Sequence, residues 1–130
     1  MLKVNIQDNS DKLLGEEEKK KDKILYEIGL EWQSIVTKIL TEKKIVDTGR
    51  LRASMSFITN KKRVKGVPVK ETKPQDFLSG RANKDELIVG SNVEYAEKNE
   101  LENRKGDFLR PSLLEHTEIY QKIADSIFKE

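Results

Sequence analysis

The residues of this 130-residue chain best placed to do chemistry are Asp47, Thr48 and Gly49, in the stretch "KKIVDTGRLRASM" from 43 to 55. Two β-branched residues, Ile45 and Val46, lead into the triplet. A carboxylate presented in this way can share one proton with a second carboxylate, so that one acts as acid and the other as base in peptide hydrolysis. A chain with one Asp-Thr-Gly would have to take the second carboxylate from another copy of itself. The later stretch "ELIVGS", an apolar run closed by glycine, could supply the second half of such a site.

That arrangement would make a dimeric aspartic protease, and three features weigh against it. Arg50 follows the triplet where such a site carries a small residue, and a fixed cation there would upset the shared proton. The triplet sits between two helical patterns. The chain also has too few strand candidates to close a β-barrel. The residues favour a structural role, in which Asp47 or Thr48 caps the N–H groups of a short helix and Gly49 relieves a tight bend. A dimeric protease using Asp47 remains the alternative.

Other chemistry is thinner. His116 is the one histidine and falls among charged neighbours in the final helical pattern, where it is expected to be solvated. With no cysteine, a zinc site would need mostly carboxylates, which is unusual. "GVPVK" lacks the spacing and the Ser/Thr of a phosphate loop. No enzymatic activity, metal or cofactor is expected.

The elements that carry these residues read as α+β: a long N-terminal helix, a short helix, a small antiparallel sheet and a C-terminal helix. "LKVNI" (2–6) alternates as a short strand, and "QDNSDK" follows as a turn. Leu25, Ile28, Trp32, Ile35, Val36 and Ile39 recur at helical spacing, predicting one long helix from about Glu16 to Lys43. Trp32 and Ile35 are expected to face the core. Glu16 to Glu18 at its start and Lys43 and Lys44 at its end suit the helix dipole. A short helix follows Asp47 or Thr48, with Leu51 and Met55 one turn apart. "MSFITNKK" and "ELIVGS" read as strands, and "VPV" as an extended piece kept to an edge by Pro68. "NVEYAEKNEL" reads as a helical turn and "ENRKGD" as a loop. Pro111 fits the first position of the last helix, whose stripe runs through Leu113, Leu114, Tyr120, Ile123, Ala124, Ile127 and Phe128.

Size and composition indicate one domain over 1–130 with a lean core: 37% of residues are charged and 35% hydrophobic, against about 25% charged on average. Such a subunit is expected to draw stability from neighbours. No apolar run approaches the about 18 residues of a membrane span. The absence of cysteine fits a reducing cytoplasm, and the N-terminus lacks a signal peptide's basic-then-apolar layout. The net charge of +2 does not by itself argue for nucleic acid. Residues 60–85 are expected as a flexible hairpin or loop excursion. Within them Lys61, Lys62, Arg63 and Lys65 form a basic cluster, a candidate contact for phosphates or an acidic partner, with no aromatic residues interleaved for base stacking. A small, sequence-independent nucleic-acid-binding module is therefore a second alternative.

Three segments taken in order resemble the tail-component family of long-tailed bacteriophages, whose members are called tail-completion, neck or minor capsid proteins. "DTGRLRASM" matches through Asp47, Thr48, Gly49, Leu51 and Ser54. "LIVGSNVEYA" matches through Gly90, Ser91, Val93, Tyr95 and Ala96. "FLRPSLLEH" matches in part through Phe108, Leu109, Arg110, Pro111 and Leu113. The resemblance implies a structural virion protein of the neck or upper tail, made in the host bacterial cytoplasm. It implies a homo-oligomeric ring that helps join the DNA-filled head to the tail. Its partners would be copies of itself and the head-closure, tail-terminator or tail-tube proteins of the same phage, and the basic cluster becomes a candidate contact with packaged DNA. The motif residues would then be architectural, with Gly49 and Gly90 serving backbone turns and Tyr95 and Pro111 anchoring junctions.

Overall fold

A computed structural model of the chain describes residues 2–7, 16–43, 48–93 and 108–129. The turn expected at 7–12, the helical turn at 92–101 and the loop at 102–107 fall wholly or largely outside them. The fold is α+β. Strand β1 (Leu2–Gln7) precedes helix α1 (Glu16–Lys43), then come helix α2 (Thr48–Ser54) and strands β2 (Ser56–Ile58) and β3 (Arg63–Val64). A single 3-10 turn at Pro74–Asp76 leads to strand β4 (Glu86–Ser91), and the chain closes with helices α3 (Leu109–Leu114) and α4 (Thr117–Phe128). The sheet order is β1-β4-β2-β3 and every pairing is antiparallel. The first strand thus lies beside the last.

Helix α1 follows its apolar period. Leu25, Trp32, Val36 and Leu40 are buried on one stripe against the sheet, with Phe57, Leu87 and Val89 opposite. Ile35 departs from expectation: it is half-buried and lies outside that core, while Leu40 takes the inward position one turn beyond Val36. The helix passes close to the sheet at Gly29, where an added Cβ would run into the Phe57 ring. A residue without a side chain is what allows Phe57 to be wholly buried beneath the helix.

The run "ELIVGS" is apolar without alternation because both faces of β4 are covered. Leu87 and Val89 point into the main core, and Ile88 points the other way into a second cluster with Ile58, Leu78 and Ala82. Residues 74–82 supply that second cover. Segment 60–85 is therefore an excursion that packs back on the sheet, burying Asp76, Phe77, Leu78 and Ala82. Its sequence has no period because its cover is made by scattered side chains. "VPV" joins no strand ladder; Val67 is 84% exposed.

The C-terminal element differs from expectation in being two helices. Glu115 ends α3, and His116, at φ −127 and ψ 21, lies outside helical geometry. His116 therefore sits in the break, where its carbonyl accepts hydrogen bonds from the N–H groups of Ile119 and Tyr120 at 3.1 and 3.3 Å. Pro111 is the third residue of α3, still among the N–H positions a helix leaves without an internal acceptor. The apolar stripe is not buried throughout: Ile127 is buried, but Leu114 is 61% and Phe128 50% exposed. The break brings both helices onto α1. The Trp32 Nε1–H donates to Ser112 Oγ at 3.0 Å, and the Tyr120 hydroxyl donates to the Ser112 carbonyl at 2.6 Å. Burial, with Glu31 nearby, pushes the Tyr120 phenol well above its ordinary range, so it stays a donor.

Candidate functional site

The three segments singled out in the sequence meet in space. Thr48 and Gly49 open α2, while Asp47, the other cap candidate, lies outside the described residues, as do Tyr95 and Ala96. Leu51 and Ser54 face inward and are fully buried. The Ser54 hydroxyl donates to the Leu51 carbonyl at 2.6 Å and lies 2.6 Å from the Ser91 hydroxyl. Ser91 in turn accepts from the Val93 N–H at 3.0 Å. Phe108 and Leu109 join Leu51 in the main core, and Arg110 is exposed. Pro111 is half-buried. Two buried hydroxyls bonded to each other and to backbone satisfy one another's polar groups, which fixes α2 against the end of β4.

The two motif glycines do not serve turns. Gly90 lies inside β4, pairing with Lys3 on one side and Ser56 on the other, at φ 151, a conformation that side-chain-bearing residues rarely adopt. Its carbonyl accepts from the Ser56 hydroxyl at 3.3 Å. Gly49 has ordinary backbone geometry and open space where a Cβ would stand. Gly49→Ala is therefore expected to raise stability, by up to about 1 kcal/mol, because alanine restricts the unfolded chain more than the folded one. A urea titration checks the sign. A variant more stable yet unable to assemble would mark Gly49 as a contact with a neighbour.

Gly49 opens onto a groove of about 390 Å³ between α1, α2 and the strap 65–69, lined by Leu30, Thr37, Arg52 and Val67 among others. The strap crosses α2 so closely that a Cβ at Gly66 would meet the Ala53 carbonyl oxygen.

Sequence reasoning missed the most strongly built polar feature. Arg50, the residue after the triplet, reaches across to Asp76. Its Nε–H donates to Oδ2 at 3.0 Å and its Nη2–H to Oδ1 at 2.8 Å. The Asp76 side chain is 1% exposed and that of Arg50 13%. The Lys73 N–H also donates to Asp76 Oδ2, at 3.0 Å, and the Asn92 N–H donates to the Asp76 carbonyl at 2.9 Å. The Arg50 hydrogen bonds hold the Asp76 carboxyl below the ordinary carboxylate range, against the opposing effect of burial. The ion pair thus ties α2 to the 3-10 turn, and the Asp76 backbone ties that turn to the end of β4. The only signal in the sequence is an Asp two residues after Pro74 in an otherwise polar loop, which does not reveal its partner.

The basic residues are individually seated. Lys61 Nζ lies 3.0 Å from Asp22 Oδ2 on α1, and Lys62 Nζ sits 4.2 Å above the Tyr26 ring. The Arg63 guanidinium donates to the Gly80 carbonyl at 2.8 Å, and Lys65 Nζ lies 5.3 Å from the Phe77 ring centre. All four residues are exposed. Among the described residues no group of three or more His, Asp or Glu is placed to hold a metal ion, and no helix is long and apolar enough to cross a membrane.

No family model matches the chain, and neither the curated proteins nor the solved structures contain a match to it.

Proposed function

We propose that the chain is a structural subunit of a phage neck or upper tail, working as a ring that helps join the DNA-filled head to the tail. The observation that carries this reading is the convergence of the three resembling segments on one buried layer. Ser54 and Ser91 bond to each other, and Leu51, Phe108 and Leu109, from separate parts of the sequence, are buried together in the main core. Side chains so placed hold backbones together. Their hydroxyls are turned on one another and on carbonyls, away from any solvent-facing cleft. The triplet leads into a helix beside an open four-stranded sheet, and its arginine is committed to Asp76, which suits a structural triplet better than a shared-proton dyad.

A ring needs one face of each copy to meet a different face of the next. The Gly49–Val67 groove and the exposed Leu114 and Phe128 lie on different elements and offer two such faces. The neighbours in this role are copies of the chain and the head-closure, tail-terminator or tail-tube proteins, and the finished location is the virion. The test is to image, by negative stain, particles assembled without this protein. Filled heads and tails left unattached are the expected result. Normally joined particles would overturn the reading, and pepstatin-sensitive cleavage abolished by Asp47→Asn would replace it with the protease.

A further inference from the structure

We infer that the hairpin end of the sheet is a binding surface for the phosphate backbone of double-stranded DNA, one that takes any sequence. The net charge of +2 conceals a strong segregation. Hairpin 60–65 and loop 80–85 lie together: the Asn60 side chain donates to the Ala82 carbonyl at 3.3 Å, and Arg63 donates to Gly80. These two segments hold six Lys and Arg (61, 62, 63, 65, 81 and 84) against one acid, Asp85. The rest of the chain then carries 19 Lys and Arg against 22 Asp and Glu, and is net acidic. Asp85 is itself ion-paired to buried Lys21 at 2.9 Å. Asp22, on the facing side of α1, is taken by Lys61.

The chemistry of the surface selects the partner. Lys61 and Lys62 lean towards α1, while Arg63 and Lys65 lean towards the excursion, so cations flank both sides of a narrow ridge. Rings and a carbonyl hold them in place, which lowers the entropy lost on binding. The exposed Lys61–Asp22 pair is worth under about 1 kcal/mol, so a phosphate can share or displace it. A protein partner would need an apolar anchor at the centre of its contact. Within these segments Val64 packs on the core and Ala82 is buried, and the nearest large exposed apolar residues, Val67 and Val69, belong to the strap beyond Lys65. Tyr26 and Phe77 back the ammonium groups, so base stacking has no platform here and recognition stays with the phosphates.

Fluorescence anisotropy of the purified full chain with a short DNA duplex, in two unrelated sequences, tests this. Both duplexes should bind equally. Contacts with four phosphates would weaken affinity on the order of 100-fold between 50 and 200 mM salt. The triple variant Lys62→Gln, Arg63→Gln, Arg81→Gln should lose at least about tenfold at low salt and flatten the salt slope by about 0.9 per contact removed. The equal-charge control Lys38→Gln, Lys122→Gln, Lys129→Gln should bind as the parent does. Arg81→Glu alone, on an exposed loop, gives the same direction should the triple variant fold poorly. Equal losses in both triple variants, no binding at 50 mM salt, or tighter binding of polyglutamate than of duplex would overturn the proposal. Lys65 also borders the groove offered above as a ring face, but DNA binding is read on the isolated chain and joining on particles, so either can fail alone.

Discussion

Trp32→Ala is expected to cost about 3–5 kcal/mol, the range for emptying a fully buried aromatic site. Trp32 is 0% exposed and sits where α1, the sheet and α3 meet, with Val36, Leu51, Phe57 and Phe108 in the same cluster. Its neighbours belong to three separate parts of the chain, so they cannot all close on the space it leaves. The indole N–H also holds Ser112, whose hydroxyl donates onward to the Leu109 carbonyl at 2.5 Å. Losing the indole therefore loosens α3 as well as the core. Trp32→Phe keeps most of the volume and removes the hydrogen bond, and should cost clearly less. With total stability on the order of 5–15 kcal/mol for a domain, the alanine variant should unfold at much lower urea. Trp32 is the sole tryptophan, so the unfolding of both variants must be followed by circular dichroism. A loss below about 1 kcal/mol would mean that α3 does not pack on α1 in solution.

Asp76→Ala is expected to cost a comparable amount, about 3–5 kcal/mol, because it leaves a largely buried guanidinium without its carboxylate. The two parallel hydrogen bonds from Arg50 are the strong, geometrically specific kind. Removing one partner costs more than the pair contributes, so the joint replacement Arg50→Met, Asp76→Leu should be less damaging than Asp76→Ala alone. The effect depends on pH in a definite direction. The folded-state carboxyl titrates below its unfolded value, chiefly through the Arg50 hydrogen bonds. Its stabilisation is therefore complete above the unfolded value, about pH 4, and is lost as pH falls through the lower folded value. The gap in stability between the parent and Asp76→Asn should be constant from neutral pH down to about 5 and should narrow below about 4. Urea midpoints across that range measure it. A gap that stays constant into strong acid would show that the ion pair contributes nothing.

Both effects arise from contacts between residues far apart in the chain, and this separates what could be read early from what could not. Helix α1 was legible over its whole length because its stripe and its flanking charges are local signals. Strand β4 was legible as an apolar run, and α2 by the capping residues at its start. Residues 74–82 were not, since their burial comes from lying across the far face of the sheet, a relation without periodicity. The break at His116 was also hidden, because the apolar residues on either side can be counted as a single stripe until the two axes are known. The glycines show the same limit: Gly49 and Gly90 look alike in sequence, yet only Gly90 has a backbone that requires glycine.

By itself the sequence determined the fold class, the long helix, the strand candidates and the absence of thiol chemistry, all of which depend on residue type and on spacing within a few turns. Only the tertiary structure decided which polar groups meet. Arg50 finds Asp76 across 26 residues, Ser54 finds Ser91 across 37, and Trp32 finds Ser112 across 80. It also decided that hairpin 60–65 and loop 80–85 lie together, which brings six of the 25 Lys and Arg to one end of the sheet. Local propensity acts along the backbone, whereas charge pairing and desolvation act through space, so the partners of a buried or clustered charge are set by how the elements pack.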